Sequence, residues 1–167
     1  SPTTRPRFVT TVHGPYSVCG YSAVMTKGER VIAISKMIVN YLVRNYPKVP
    51  QEKVRLIYRG VDPEQFPPGY TPPDDWMRQW QQEHPGLAGK KILLLPARLT
   101  RWKGQTDFID MLDHILKTRS DVHGLIVGET HPRKQAFMAE LEALSKARGV
   151  SPHLSFISHR ADLREIM

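Results

Sequence analysis

One cysteine, Cys19, among 167 residues excludes an internal disulfide framework and fits a reducing compartment. Long apolar runs are missing too. The longest, Ile92 to Ala97, falls far short of the ~20 residues that a membrane-spanning helix needs, so the segment is expected to stay in water. The opening residues, Ser-Pro-Thr-Thr-Arg-Pro-Arg, have no apolar core of the kind a signal peptide requires. No Gly-x-Gly-x-x-Gly follows any expected strand and the Walker loop is absent, which disfavours a dinucleotide oxidoreductase. Asp/His clusters at metal-ligand spacing are lacking, so no metal site is expected. There is no repeat of 20–50 residues and no low-complexity tract, and charged residues stand near the globular average.

What the sequence does have is positive charge, unevenly placed. The formal net charge is +8, of which residues 1–62 hold ten Lys or Arg against three acids, a net of +7, leaving +1 for the rest. An anionic partner, if the surplus serves one, should face that first third; a solvated basic surface without a partner stays equally open. A basic nucleic-acid-binding protein is disfavoured because the surplus carries no aromatic-interleaved stripe and no recognised reading motif.

Apolar periodicity divides the chain. Phe8 to Val12, Val31 to Ile34 and Val54 to Tyr58 are short β-branched runs that predict strands, and Ser35 is placed to cap a helix running to about Tyr46 with Ile38, Tyr41, Leu42 and Asn45 on one face. The proline-rich stretch from Pro67 to Pro73 suits neither a helix interior nor a central strand. Residues 67–90, with a short helix capped by Asp74-Asp75, are therefore expected to link a domain over 1–66 to another over 91–167. The second part alternates cleanly: strands Lys91–Pro96, Val122–Val127 and Leu154–Ile157 separated by helices Lys103–Lys117 and Arg133–Arg148, then a helix from Ala161. Phe108, Leu112, Ile115 and Leu116 form one core stripe, and Phe137, Leu141 and Leu144 another. Such alternation implies right-handed βαβ units and an α/β fold of Rossmann-like parallel sheets.

In an open parallel sheet, ligands collect beyond the carboxyl ends of the strands. Arg98 leaves the first strand of the second part at that edge, and Lys103 stands near the next helix start, where free N–H groups favour an anion. Arg grips phosphate oxygens bidentately, Lys acts as a point charge, and Gly104 has no side chain to obstruct the backbone. Gly128-Glu129-Thr130 and Ser158-His159-Arg160 end the next two strands and face the same edge. Tyr16 and Tyr21 could line an acceptor site or simply pack at the surface.

The run Arg98-Leu99-Thr100-Arg101-Trp102-Lys103-Gly104 resembles the arginine-to-lysine-glycine signature of glycosyltransferase family four, whose retaining GT-B enzymes include bacterial lipopolysaccharide sugar transferases. Glu29 to Ser35, with Lys53-Val54-Arg55-Leu56-Ile57-Tyr58-Arg59-Gly60-Val61-Asp62, is similar to the family's second half of the N-terminal domain and the crossing that follows it. Val9-Thr10-Thr11-Val12-His13-Gly14 is similar to its strand and cleft histidine. The resemblance covers nearly the whole chain in the family's order. It implies parts of the two GT-B domains and a nucleotide-diphosphate sugar as donor substrate, with no separate cofactor. Arg98, Lys103 and Gly104 would hold the diphosphate, and His13 would hydrogen-bond the sugar from across the cleft near the acceptor hydroxyl. Gly128 and Glu129 would lie in the donor site, and Ser158, His159 and Arg160 would contact the nucleobase, mostly through backbone groups.

By the same resemblance the acceptor would be a glycan or lipid-linked saccharide of the cell envelope. The location would be cytoplasmic, with peripheral contact of the basic first third at the inner face of an anionic membrane. The family's glutamate pair falls after Met167, and its opening N-terminal strands fall before residue 1, so the chain is expected to be an incomplete fragment with little activity alone. A coding sequence continuing past Met167 with two glutamates on a strand–turn–helix would support that expectation. A non-catalytic nucleotide- or phosphate-binding module is the alternative from another class.

Overall fold

The computed structural model describes residues 5–129 and 135–167. It divides into two compact units, Ser1–Phe66 and Pro67–Met167.

In the first unit β1 (Val9–Val12), β2 (Arg30–Ala33) and β3 (Val54–Leu56) make a parallel sheet in the order β1-β2-β3. Val12 lies beside Ala33, and Val31 beside both Thr10 and Val54. Helix α1 (Lys36–Asn45) follows β2, and the Ser35 Oγ accepts the Ile38 N–H at 3.2 Å, the cap the sequence leads one to expect. Of the expected apolar face, Ile38 and Leu42 are buried while Tyr41 and Asn45 are half-buried. Ile38 and Leu42 join Val12, Val31 and Ala33 in a small core.

In the second unit β4 (Lys91–Pro96), β5 (Val122–Val127) and β6 (Leu154–Ile157) form another parallel sheet, again in chain order, with the bounds read from the sequence. Helix α2 (Asp74–Glu83) precedes β4, α3 (Gln105–Leu116) and α4 (Gln135–Ala147) connect the strands, and α5 (Leu163–Ile166) follows β6. All six residues of β5 are buried, as befits a central parallel strand covered on both faces. Phe108, Ile109 and Leu112 of α3 pack with Ile126, Leu141 and Leu154 in the core, and the expected Ile115, Leu116 and Leu144 lie at its margin.

Several elements differ from expectation: β1 starts at Val9 rather than Phe8, β2 covers Arg30–Ala33 rather than Val31 to Ile34, β3 ends at Leu56 rather than Tyr58, and α3 and α4 end one residue early, at Leu116 and Ala147. α3 starts at Gln105 rather than Lys103 because Gly104 adopts φ 77°, a left-handed conformation that interrupts the helix, and Arg101–Lys103 form a separate 3-10 turn before it. The last helix begins at Leu163 rather than Ala161. α2 starts at Asp74 with no side-chain cap; the Asp75 carboxylate accepts the Trp76 N–H instead, at 2.9 Å. The expected α4 start at Arg133 lies outside the described residues.

Residues 67–90, expected as a linker, belong to the second unit. Aromatic side chains account for this. Trp76 stacks on Trp80 with ring centroids 5.2 Å apart and donates its indole N–H to Asp162 at 2.8 Å. The Tyr70 hydroxyl donates to Glu165 at 3.2 Å, and the Arg164 guanidinium lies 4.4 Å from the Tyr70 ring centroid. Proline keeps regular structure out of residues 67–73 without preventing Tyr70 there, or Trp76 and Trp80 on α2, from packing.

Candidate functional site

Each sheet has one edge where its strands end, and the candidate residues gather there. In the second unit three backbone hydrogen bonds extend the sheet past the strand ends. The Ala97 N–H donates to Val127 at 2.9 Å, the Leu99 N–H to Glu129 at 3.3 Å, and the Gly128 N–H to Ile157 at 2.9 Å. The loops carrying Arg98, Glu129 and Ser158 are thereby laced side by side. Gly128 makes this possible, because a Cβ at that position would stand 2.0 Å from the Ala97 carbonyl oxygen. The close approach at Gly128 is thus to the neighbouring loop's own backbone.

Arg98 is exposed, but its main chain is held firmly. Next to it Leu99 is buried in the core. The Arg98 carbonyl accepts a 3.0 Å hydrogen bond from the Gln105 side-chain amide, and Gln105 is 0% exposed at the start of α3. A rigid backbone beneath a guanidinium with no carboxylate partner among the described residues is a good anion grip, since little entropy remains to be lost except that of the side chain.

The three cations of this loop have different occupations. Arg101 pairs with Glu140 at 2.6 Å and lies 5.1 Å from the Phe137 ring centroid. Lys103 has its ammonium 4.3 Å from the ring centroid of Trp102, which is 72% exposed. Neither Lys103 nor Arg98 has a carboxylate partner among the described residues. The first N–H groups of α3 add positive potential nearby, partly offset by Asp107 in its first turn. Gly104 serves the turn itself; its left-handed φ separates the Lys103 turn from α3.

Ser158 and His159 are exposed beyond β6. The Arg160 guanidinium is committed elsewhere: it binds both oxygens of Asp162, at 2.8 and 2.6 Å, reaches Glu83 at 3.3 Å and covers the Trp80 ring. These charge-assisted bonds hold the Asp162 carboxyl well below its usual range, with the Trp76 N–H contributing. Arg160 therefore fastens the loop after β6 to α2. Thr130 lies outside the described residues.

In the first unit His13 follows β1 and is exposed. Its Nδ1 accepts a hydrogen bond from the Arg59 guanidinium, which emerges beyond β3. Tyr16 and Tyr21, both exposed, line an open cavity of about 660 Å³ with Thr10, Thr11, Cys19 and Met25. The Cys19 thiol is lowered from its usual range by hydrogen bonding to Ser22.

Two residues of these edges escape sequence reasoning. Gln105 shares the α3 stripe with Phe108, Ile109 and Leu112, at i+3, i+4 and i+7, and a polar residue at a core-facing position signals a buried hydrogen bond. Arg59 follows a strand in the same way as His13, but only strand order reveals that they meet.

Comparison with known proteins bears on the family and the fold. Residues 77–167 match the family model described as Glycosyl transferases group 1, and residues 2–65 match Glycosyltransferase Family 4. The chain belongs to the glycosyl transferases group 1 family. A glycosyltransferase structure from Rickettsia africae is 27% identical with a TM-score of 0.77, covering 95% of this chain and 42% of that one. HepE from Anabaena, solved in complex with UDP and glucose, is 25% identical with a TM-score of 0.72 over 87% of this chain and 37% of that one. Spore coat protein SA of Bacillus subtilis (strain 168) is 27% identical over 99 residues, which are 59% of this chain and 26% of that protein. The chain thus spans about a quarter of the curated relatives it matches. Within the family, the two units carry parallel α/β sheets of GT-B glycosyltransferase type.

Proposed function

We propose that this chain is part of a retaining glycosyltransferase that moves a sugar from a nucleotide diphosphate to an acceptor hydroxyl without a metal ion. The observation that carries the reading is the division among the loop cations: Arg101 is neutralised by Glu140, whereas Arg98 and Lys103 flank the start of α3 without carboxylate partners among the described residues. As the bond from sugar to phosphate breaks, negative charge grows on the departing diphosphate. Fixed cations beside a helix N-terminus stabilise that charge more than the ground state, which lowers the barrier. The HepE complex with UDP and glucose supports a nucleotide-sugar donor. Gly128, Glu129, Ser158 and His159 complete the donor edge, and His13 hydrogen-bonds the sugar.

The proposed acceptor is a glycan or lipid-linked saccharide of the cell envelope. The basic first unit would work on the cytoplasmic side against an anionic membrane, where each Lys or Arg near the surface is worth ~1 kcal/mol. Co-sedimentation of the protein with anionic vesicles should weaken as salt rises. Binding indifferent to salt or to lipid charge would remove the membrane role.

The donor site is tested by titrating UDP into the full-length protein carrying Arg98→Ala and Lys103→Ala together. Losing two charge-assisted contacts should weaken binding on the order of 100-fold. Unchanged affinity for UDP-, GDP- and ADP-linked donors alike would overturn the reading.

A further inference from the structure

We propose that Arg59 is a positioning residue that sets the ring tautomer of His13, making His13 a hydrogen-bond donor through Nε2. Strand order brings the pair to one edge. His13 follows β1 and Arg59 follows β3, with β2 between them. Adjacent strands lie ~4.8 Å apart, so the two main chains are separated by about 10 Å at this edge. Only a long side chain crosses that gap, and Arg59 does so to meet Nδ1 of His13.

The chemistry of the contact is one-sided. A guanidinium has five N–H groups and no acceptor. Arg59 can engage Nδ1 only when that nitrogen presents its lone pair, so the proton of the neutral ring is on Nε2. The other tautomer would oppose N–H to N–H and lose the contact. Histidines that work as bases commonly have a carboxylate on the second nitrogen, which stabilises the charged ring. Among the described residues His13 has no carboxylate partner; it has a cation. A ring held in this tautomer offers Nε2–H to an oxygen and has no lone pair on Nε2 with which to accept a proton there. This rests on the proposed reading in which His13 meets the sugar, and it gives that meeting a direction: His13 donates to a sugar oxygen and is not the base for the acceptor hydroxyl.

The test reads the tautomer directly. Long-range ¹H–¹⁵N spectra of the ¹⁵N-labelled full-length protein are recorded above the ordinary histidine range of about 6.5, with His13→Gln assigning the resonances. The wild type should show a single Nε2–H tautomer at His13. Arg59→Met should give a mixture of tautomers, and Arg59→Lys, which keeps a long donor, should largely restore the single form. Turnover is measured on the same variants. Arg59→Met should lower kcat by ~10–100-fold, the range seen for outer partners of functional histidines, with donor KM moving much less. Arg59→Lys should recover most of the rate. An Arg59→Met protein with an unchanged His13 spectrum, or with unchanged kcat, overturns the proposal. If His13→Gln itself leaves turnover intact, the functional reading of His13 has failed, while the spectra still decide by themselves whether Arg59 sets the tautomer.

Discussion

The two units use the same plan, three parallel strands in chain order, and differ in how completely they cover it. In the second unit β5 is buried along its whole length, α3 packs on it and against α4, ten buried side chains among the described residues form the core, and three main-chain hydrogen bonds continue the sheet into the loops that carry Arg98, Glu129 and Ser158. In the first unit five buried side chains among the described residues, Ile38 and Leu42 of α1 included, form the core, and the edge beyond β1 and β3 is tied by a side-chain contact from Arg59 to His13. Val9, Val24, Leu56 and Ile57 remain exposed there. The difference teaches that the proposed donor edge is rigid by main-chain construction, which suits fixed electrostatic stabilisation. The histidine edge is set by side chains and is correspondingly easier to alter.

The sharpest way to break this comparison is to overfill each unit separately. A Cβ at Gly128 would meet the Ala97 carbonyl at 2.0 Å, and one at Gly28 the Arg30 carbonyl at 2.5 Å, both rigid main-chain atoms. Gly128→Ala and Gly28→Ala should each cost about 3 kcal/mol or more. Because Trp76, Trp80 and Trp102 are the only tryptophans and all lie in the second unit, denaturation followed by tryptophan fluorescence should shift for Gly128→Ala and stay put for Gly28→Ala. Hydrogen exchange in β1 and β2 should show the reverse. Equal shifts of both signals would mean that the units unfold as one.

A smaller effect is expected at the charged clasp of the second unit. Asp162→Asn removes the bidentate carboxylate from Arg160, leaving only the longer contact to Glu83, and should destabilise that unit by about 2 kcal/mol. The direction with pH follows from the lowered Asp162 pKa. The contribution is full above the unfolded carboxylate value of about 4 and fades as pH falls toward the depressed folded value. Acid should therefore weaken the wild type more than Asp162→Asn, as read by fluorescence melts across that range. Identical acid sensitivity would show that the clasp adds nothing.

The smallest effect belongs to the first unit. Ser35→Ala removes the hydrogen bond to the Ile38 N–H at the start of α1 and should cost ~1 kcal/mol, seen as faster exchange in α1 without change in the tryptophan signal.

Much of the fold was legible. The bounds of β4, β5 and β6 follow from short apolar runs closed by polar or turn residues, and the α1 cap follows from Ser35 standing between a strand and an amphipathic run. Arg98 and Lys103 could be singled out from topology, since both lie where a parallel strand hands over to a helix. The place of residues 67–90 was not legible, because a proline-rich stretch reads as a linker until Trp76, Trp80 and Tyr70 are seen to hold it. Gln105 was not singled out because a polar residue in the first turn of a helix reads as solvated until its side chain is seen to reach the Arg98 carbonyl.

By itself, the order of residues determined the α/β alternation, the parallel sheets and which loops carry positive charge, because these depend on periodicity and spacing along a few neighbouring turns. Tertiary structure alone decided which distant side chains those charges meet. Arg101 and Glu140 are 39 residues apart, Arg160 and Glu83 are 77 apart, and Arg59 and His13 are 46 apart. Such pairings arise only after the strands have taken their order, since packing fixes which distant side chains come within reach of one another.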